Sequence, residues 1–365
     1  MMGFLSAPAP IGARGPAVLF VDPAGRRPYD DRTLYAQALG TAEAAAVRVA
    51  EGLAQRGLRV VVAQGGRHWP TRSAGGVHYV PFRHEESAPR LRAEAVVVLR
   101  QHKVLRRLRR AHPEARLALW LRRVPGSRAR RLGPETAAAR ASVVTVSDAH
   151  REAVRAFVQE RGKGPLATPL ARMHDPVGDD LVPDGSRVDP DKLVCFGGPH
   201  VDPTEVLAAF ARVRRQRPSA RLMVMGVARW RGEGPLPEGV AMLGPLPHHA
   251  MVRHVREAFC VFSPQTRPLG PMAVRFAEAN AVGTPVLAHA TGSAEEAVGE
   301  SARDRRQLLD ARDPEAAARR LSGWWTDGRP EVSPPPALRL SRVLDAWERL
   351  LGVGARGRQP APALT

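Results

Sequence analysis

The sequence predicts an α/β chain of two doubly wound domains, and three observations carry that reading. At 365 residues the chain is too long for one compact core and suggests about two domains of roughly 150–180 residues. Short, almost wholly apolar runs alternate with segments of helical spacing, the pattern of parallel strands covered on both faces. A Gly-, Pro- and Asp-rich stretch between Arg161 and Asp191, without sustained periodicity, separates two such alternating regions.

The first strand is AVLFVD (17–22), a β-rich apolar run ending in a polar turn. TAEAAAVRVAEGLAQRG (41–57) spaces its apolar residues at three and four and closes on Gly57, a helix with its C-cap. Strands follow at 58–66, 75–82 and 93–100, then a helix at 102–113. The strands ARLALWL (115–121) and ASVVTVS (141–147) lead to a helix at 148–160. Beyond the linker, KLVCFGG (192–198) is a strand, 202–218 a helix with Asp202 as N-cap, and ARLMVMG (220–226) a strand. The segments 239–246, 248–258, FCVFSP (259–264), 268–292 and 303–325 complete the second region. After a Pro-rich break at Ser333–Pro336, residues 337–352 form a final amphipathic helix. The expected division is 1–172, 173–335, a C-terminal helix 336–352 and a disordered tail 353–365. Two Rossmann-like domains in series bind ligands at the carboxyl ends of their strands, which makes nucleotide or nucleotide-sugar chemistry the natural candidate.

Composition narrows the class. A hydrophobic content of 44% fills two cores, no 18-residue apolar run exists, and no basic segment leads into an apolar one at the start. The expectation is a cytoplasmic chain without a membrane span or secretory signal. Cys195 and Cys260 sit in apolar strand-like runs and read as small buried hydrophobes. The net charge of +19 is concentrated between Arg100 and Arg131, where Glu114 is the sole acid. Such a face suits an anionic membrane surface or a solvated helix beside a substrate cleft. Nucleic acid is not expected, because aromatics do not interleave and no zinc-finger, RNP or helix-turn-helix pattern accompanies the charge.

The stretch PLGPMAVRFAEANAVGTPVLAHATG (268–292) carries the chemistry. Met272, Phe276, Ala279 and Val282 follow helical spacing after the turn Gly270-Pro271, and a helix beginning after a strand presents its N–H groups to an anion such as a diphosphate. Periodicity alone reads Glu278 as a surface carboxylate with Arg275 as its neighbour one turn earlier. The segment EANAVGTPV (278–286) resembles the donor-site motif of retaining GT-B glycosyltransferases of family 4, a Glu-x7-Glu pattern followed by Ala-x-Ala-x-Gly-x-Pro-Val. Segments 39–62, 144–154, MHDPVGDDL (173–181) and ATGSAEEAV (290–298) resemble the family's other motifs in the same order, so the resemblance covers most of residues 17–350.

That resemblance implies GT-B architecture, with two Rossmann-like domains facing a cleft and the C-terminal helix packed back on the N-terminal domain. It implies transfer of a sugar from a nucleotide-diphospho-sugar to a glycan or lipid-linked acceptor, retaining and metal-independent, with no cofactor beyond the donor. Glu278 takes the ribose hydroxyls, alongside Gly197, Gly198, Gly270, Met272, Ala273, Thr291 and Gly292 on the donor side. Gly40, Thr41 and Glu43 fall on the acceptor side. The chain also departs from the family. Gly270 stands where the first Glu belongs, Gly198 and Val201 replace the donor-phosphate cations, and Arg122-Arg123 occupy the acceptor-side histidine segment. The catalytic candidates are therefore Arg122, Arg123 and His200, and the alternative is an inactive relative serving as a binding or scaffold subunit. The acids of DPD (189–191) are assigned to the linker, and His248-His249 lacks acidic or Cys companions at metal spacing. Walker A, GxGxxG and GxSxG motifs are absent.

Overall fold

The computed structural model describes residues 17–82, 92–166, 170–197, 203–227, 235–266, 273–290, 292–299 and 306–354. Contacts divide the chain into two compact units. Unit 1 takes the described residues of Met1–Thr33, Ala42–His174 and Leu340–Thr365, and unit 2 those of Leu34–Thr41 and Asp175–Arg339.

Unit 1 is built on strands β1 (Val18–Asp22), β2 (Val60–Gln64), β3 (Thr71–Arg72), β4 (His78–Pro81), β5 (Ala95–Leu99), β6 (Arg116–Trp120), β7 (Ala141–Thr145) and β8 (Leu170–Arg172). They lie in the order β3-β4-β2-β1-β5-β6-β7-β8, parallel throughout except β3 against β4. β1 and β5 are buried along their whole length, which is why both read as unbroken apolar runs rather than alternating ones. The chain winds from β1 outward through β2 and β4, then returns to β1's other side with β5. The order therefore reverses at β1, the crevice where doubly wound sheets take ligands.

α1 (Asp31–Ala36) is divided after Thr33 between the two units, and α2 (Thr41–Gln55), α3 (Leu105–Ala111), α4 (Leu132–Ala138) and α5 (Asp148–Arg161) accompany these strands. α2 buries a row of alanines with Val47, Val49 and Leu53, and Gly57, at φ 85°, ends the turn that follows it. Ser147 caps α5, its Oγ accepting from the His150 N–H at 3.0 Å. The sequence did not foretell α1, α4 or β8. α4 opens Leu-Gly-Pro and is seven residues long, too short to display a period, while β8 lies in the stretch read as linker.

The C-terminal helix Leu340–Leu351 belongs to unit 1, in keeping with the expected packing. Its buried Trp347 meets Trp120 edge-on at 4.8 Å and Phe20 at 6.4 Å between ring centroids. Leu344 lies over Gly52, where an added Cβ would stand 2.6 Å from Leu344 Cδ1, so any larger residue there would have to displace the Leu344 side chain. Arg56 reaches Asp345 at 2.8 Å and Glu348 at 3.3 Å.

Unit 2 holds a wholly parallel six-stranded sheet of β9 (Asp189–Phe196), β10 (Arg221–Met225), β11 (Val240–Gly244), β12 (Ala258–Ser263), β13 (Val286–His289) and β14 (Leu308–Leu309). Their order is β11-β10-β9-β12-β13-β14, which reverses at β9 as unit 1 reverses at β1. The helices are α6 (Thr204–Gln216), α7 (His248–Glu257), α8 (Ala273–Ala281), α9 (Ser293–Val298) and a last one at Ala316–Asp327. One apolar layer gathers Phe276, Val282, Val286 and Val298; the opposite layer gathers Phe210, Phe262, Leu321 and Trp324. Cys195 and Cys260 are buried within the sheet, and burial pushes the Cys195 thiol up to about 12.

Two expectations need correction here. Asp189 and Asp191 are not linker acids: they open β9 and pair with Arg221 and Arg217. Segment 303–325 is not one element either, since β14 precedes the turn Asp310–Asp313 and Pro314 before the last helix begins. Among the described residues no helix is long and apolar enough to cross a membrane.

Candidate functional site

In unit 2 the functional side chains converge on Glu278. α8 carries it with Arg275 one turn earlier, and the carboxylate is buried, 3% exposed. Its Oε2 accepts from Arg275 Nη1 at 2.7 Å, and its Oε1 lies 3.0 Å from His248 Nε2. An ionised carboxylate only accepts, so His248 presents a protonated Nε2 to it. A buried carboxylate without such donors would pay a heavy desolvation penalty, which is why the Arg275 and His248 donors come with it. His248 opens α7, which follows β11, and the first residue of a helix following a parallel strand stands at the carboxyl edge of the sheet. The His248 contact therefore fixes the Glu278 carboxylate at that edge. Periodicity read Glu278 as a surface residue; the tertiary contact with α7 buries it instead. His248 has an acidic companion after all, thirty residues downstream, where metal spacing would never look for one.

Glycines shape the same edge. Gly197 ends β9 and donates to the Met225 carbonyl at 2.7 Å; a Cβ there would lie 2.5 Å from Val227 Cγ2. Gly292 caps α9 at φ 50°, a backbone that glycine adopts without steric cost. Ala273 is the first residue of α8. Gly198, His200, Val201, Gly270, Met272 and Thr291 lie outside the described residues. Asn280, two residues beyond Glu278, is 1% exposed, and neither of its amide atoms has a hydrogen-bond partner among the described residues.

In unit 1 the carboxyl edge of β1 and β5 holds a second cluster. Asp22, the last residue of β1, is fully buried and accepts from Tyr29 Oη at 3.1 Å and from Arg100 Nη2. Arg100 follows β5 directly and donates through Nη1 to Glu43 Oε1 at 2.8 Å, in the first turn of α2. Burial pushes the Asp22 carboxyl above its ordinary range, with Arg100 and Tyr29 working against that rise. Burial likewise drives the Tyr29 hydroxyl far upward, so it stays a donor. Burial alone would lower Arg100, but Asp22 and Glu43 together outweigh it and hold the guanidinium charged. Gln64, at the end of β2, braces the neighbouring loop: its Nε2 donates to the Tyr29 carbonyl at 2.6 Å and its Oε1 accepts from Tyr29 N at 3.1 Å.

The other candidates are dispersed. Arg122, after β6, is buried with its guanidinium carbon 4.9 Å from the Trp120 ring centre, whereas Arg123 is exposed. Gly40 and Thr41 cluster with unit 2, while Glu43 belongs to unit 1. The basic run is not one uniform face. Arg100 serves Asp22 and Glu43, Arg106 and Arg131 serve Glu135, and Arg109 donates to the backbone carbonyls of Ala139, His112, Pro113, Ala115 and Arg140. Arg123, Arg128, Arg130 and Arg131 remain exposed around Val124. Sequence reasoning missed Asp22 and the pairing of Arg100; an acid ending a wholly apolar strand was the available signal.

Residues 197–333 match the family described as glycosyl transferases group 1. Among solved structures, sucrose-phosphate synthase from Thermosynechococcus elongatus is similar at 15% identity and TM-score 0.57, covering 92% of this chain and 94% of that one. HepE of Anabaena, solved in complex with UDP and glucose, is similar at 14% identity and TM-score 0.58, over 92% and 95%. BGT of phage T4, solved in complex with UDP and Mn2+, is 8% identical at TM-score 0.52, over 92% and 99%. No curated protein sequence matches the chain. At these identities the likeness is one of fold, and the fold is GT-B.

Proposed function

We propose that the chain, whose residues 197–333 match the family described as glycosyl transferases group 1, transfers a sugar from a nucleotide-diphospho-sugar to a hydroxyl-bearing glycan or lipid-linked acceptor. The observation that carries the proposal is Glu278, buried at the carboxyl edge of the unit 2 sheet and oriented by Arg275 and His248. An ionised carboxylate offers several acceptor sites on its two oxygens, a chemistry that suits two vicinal ribose hydroxyls. HepE and BGT, both solved with UDP, lend support to a nucleotide donor. The Glu278–Val286 motif supports a retaining course without a required metal, and the departures at Gly198, Val201 and Gly270 place the burden of phosphate neutralisation on other cations.

Arg122, Arg123 and His200 are the catalytic candidates of this reading, and Arg275 beside Glu278 supplies a further positive charge. The exposed arginines around Val124 support peripheral contact with an anionic membrane that carries a lipid-linked acceptor, at the cytoplasmic face. The test is release of nucleoside diphosphate from UDP-, GDP- and ADP-sugars, read by a coupled assay in the presence and absence of an acceptor panel. Turnover of any one donor, abolished by Glu278→Ala, is the expected result. Nucleotide binding without turnover of any donor points instead to the inactive binding subunit, and no nucleotide binding at all refutes the donor site.

A further inference from the structure

The unit 2 sheet carries a second polar cleft at its amino edge, the end opposite Glu278. Parallel pairing sets Arg221 of β10 in register with Lys192 of β9, so two cations stand as neighbours on one face, with Met223 two residues further on. Like charges in such register repel, which a purely structural sheet edge has no reason to keep. α7 packs against β9 and brings its last turn, with His254 and Glu257, to the same place, roughly 13 Å along the helix from His248. Arg187, Val188 and Pro190, leading into β9, close another side. The cleft measures about 710 Å³, within the range of small-molecule sites.

The charges decide what fits. Arg187, Lys192 and Arg221 line the cleft against two acids, Asp189 and Glu257, and both acids are already committed. Asp189 pairs with Arg221, and Glu257 pairs with Lys192 at 2.6 Å and with Arg253 at 3.3 Å. Arg187 is exposed and has no carboxylate partner among the described residues. Lys192 is buried, 8% exposed, yet an ammonium has three donors and the bond to Glu257 uses one. His254 adds little charge at neutral pH, because burial, and secondarily Lys192, lower its imidazole below the ordinary value. The surplus is one positive charge, which a single carboxylate cancels. A phosphate dianion exceeds it and brings like charge against Asp189 and Glu257. We propose that this cleft binds a small organic carboxylate, its charged group held by Arg187 and Lys192 and its apolar body lying on Val188, Pro190 and Met223. The planar fork of Arg187 matches a carboxylate, and Lys192 supplies the further donors. The proposal does not depend on the glycosyl-transfer reading, whose residues lie at the other end of the sheet.

The experiment is saturation-transfer NMR on the full chain with benzoate and hexanoate, and with benzamide and phenyl phosphate as the uncharged and phosphorylated counterparts of benzoate. At least one carboxylate should bind, and more tightly than benzamide or phenyl phosphate. Its affinity should fall tenfold or more in Lys192→Met and severalfold in Arg187→Gln. Arg215→Gln removes the same charge from the exposed face of α6 and should leave the affinity unchanged. Lys192→Met leaves Glu257 its bond to Arg253; should that variant fail to fold, Arg187→Gln, on an exposed side chain, still decides the matter. Failure of both carboxylates to bind, unchanged affinity in Arg187→Gln, an equal loss in Arg215→Gln, or preference for benzamide or phenyl phosphate overturns the proposal. UDP, GDP and ADP should not displace the bound carboxylate. Displacement by any of them would put the carboxylate at the donor edge and overturn the proposal as well.

Discussion

The two units solve one problem with opposite charge order. In unit 1 a single guanidinium stands between two carboxylates; in unit 2 a single carboxylate stands between a guanidinium and an imidazole. Each cluster lies at the carboxyl edge of a parallel sheet, and in unit 1 the reversal of strand order lies within it. The difference teaches what each edge asks of a ligand. The unit 1 cluster encloses its one guanidinium in acceptors. Under the proposed function, the unit 2 cluster supplies its carboxylate to a ribose, with the Arg275 guanidinium beside it.

The largest expected effect separates the units physically. Trp347→Ala removes the aromatic plug under β1 and β6 and should cost about 3–5 kcal/mol, in unit 1 alone. Calorimetric unfolding should then show an early transition while nucleotide still shifts a later one; a single transition lowered as a whole would deny that the units are independent. Next comes Arg100→Ala, which strands Asp22 in the interior. The loss should be about 2 kcal/mol, below the range for fully buried pairs because Arg100 is partly exposed. Urea denaturation measures it, and Asp22→Asn in the same background should recover part of the loss, since the neutral amide no longer needs a cation.

The unit 2 counterpart is gentler on stability and harder on ligand. Arg275→Gln leaves His248 to orient Glu278 and should weaken nucleotide binding several-fold, with the larger part in the dissociation rate. Equal affinity would mean that Arg275 only satisfies burial.

The smallest effect is a pH dependence. Burial, and secondarily Arg109, hold the His112 imidazole below its ordinary value, so the native state binds fewer protons than the unfolded chain. That contribution is fully present above about pH 6.5 and is lost as pH falls through the ordinary value toward the native one. The midpoint of thermal unfolding should therefore drop between pH 7 and pH 5, less steeply in His112→Gln; an identical slope would assign the loss to other groups such as His102.

The fold was legible because it is written locally. Val18–Asp22 and Ala95–Leu99 are unbroken apolar runs that only a parallel, doubly covered strand explains, and Gly57 marks a helix end by its backbone alone. Short elements such as α4 and β8 were not legible, since three to seven residues carry no period. The site was half legible. Glu278 could be singled out from its motif, but its burial depends on His248, and no local pattern joins residues thirty apart on two helices. The basic run was legible only in part: Glu114 is its only acid in sequence, yet Asp22 and Glu43 from distant segments, and Glu135 just beyond its end, pair with some of its arginines in space.

The central claim is that Glu278 holds the ribose of a nucleotide donor. Isothermal titration of wild type and Glu278→Gln with UDP, GDP and ADP tests it most directly. Exchanging the charged acceptor for an amide removes charge-assisted bonds of about 1.5–3 kcal/mol, so one nucleotide should bind wild type and lose tenfold or more in the variant. Wild-type binding that survives unchanged in Glu278→Gln, with the variant folded, would contradict the account.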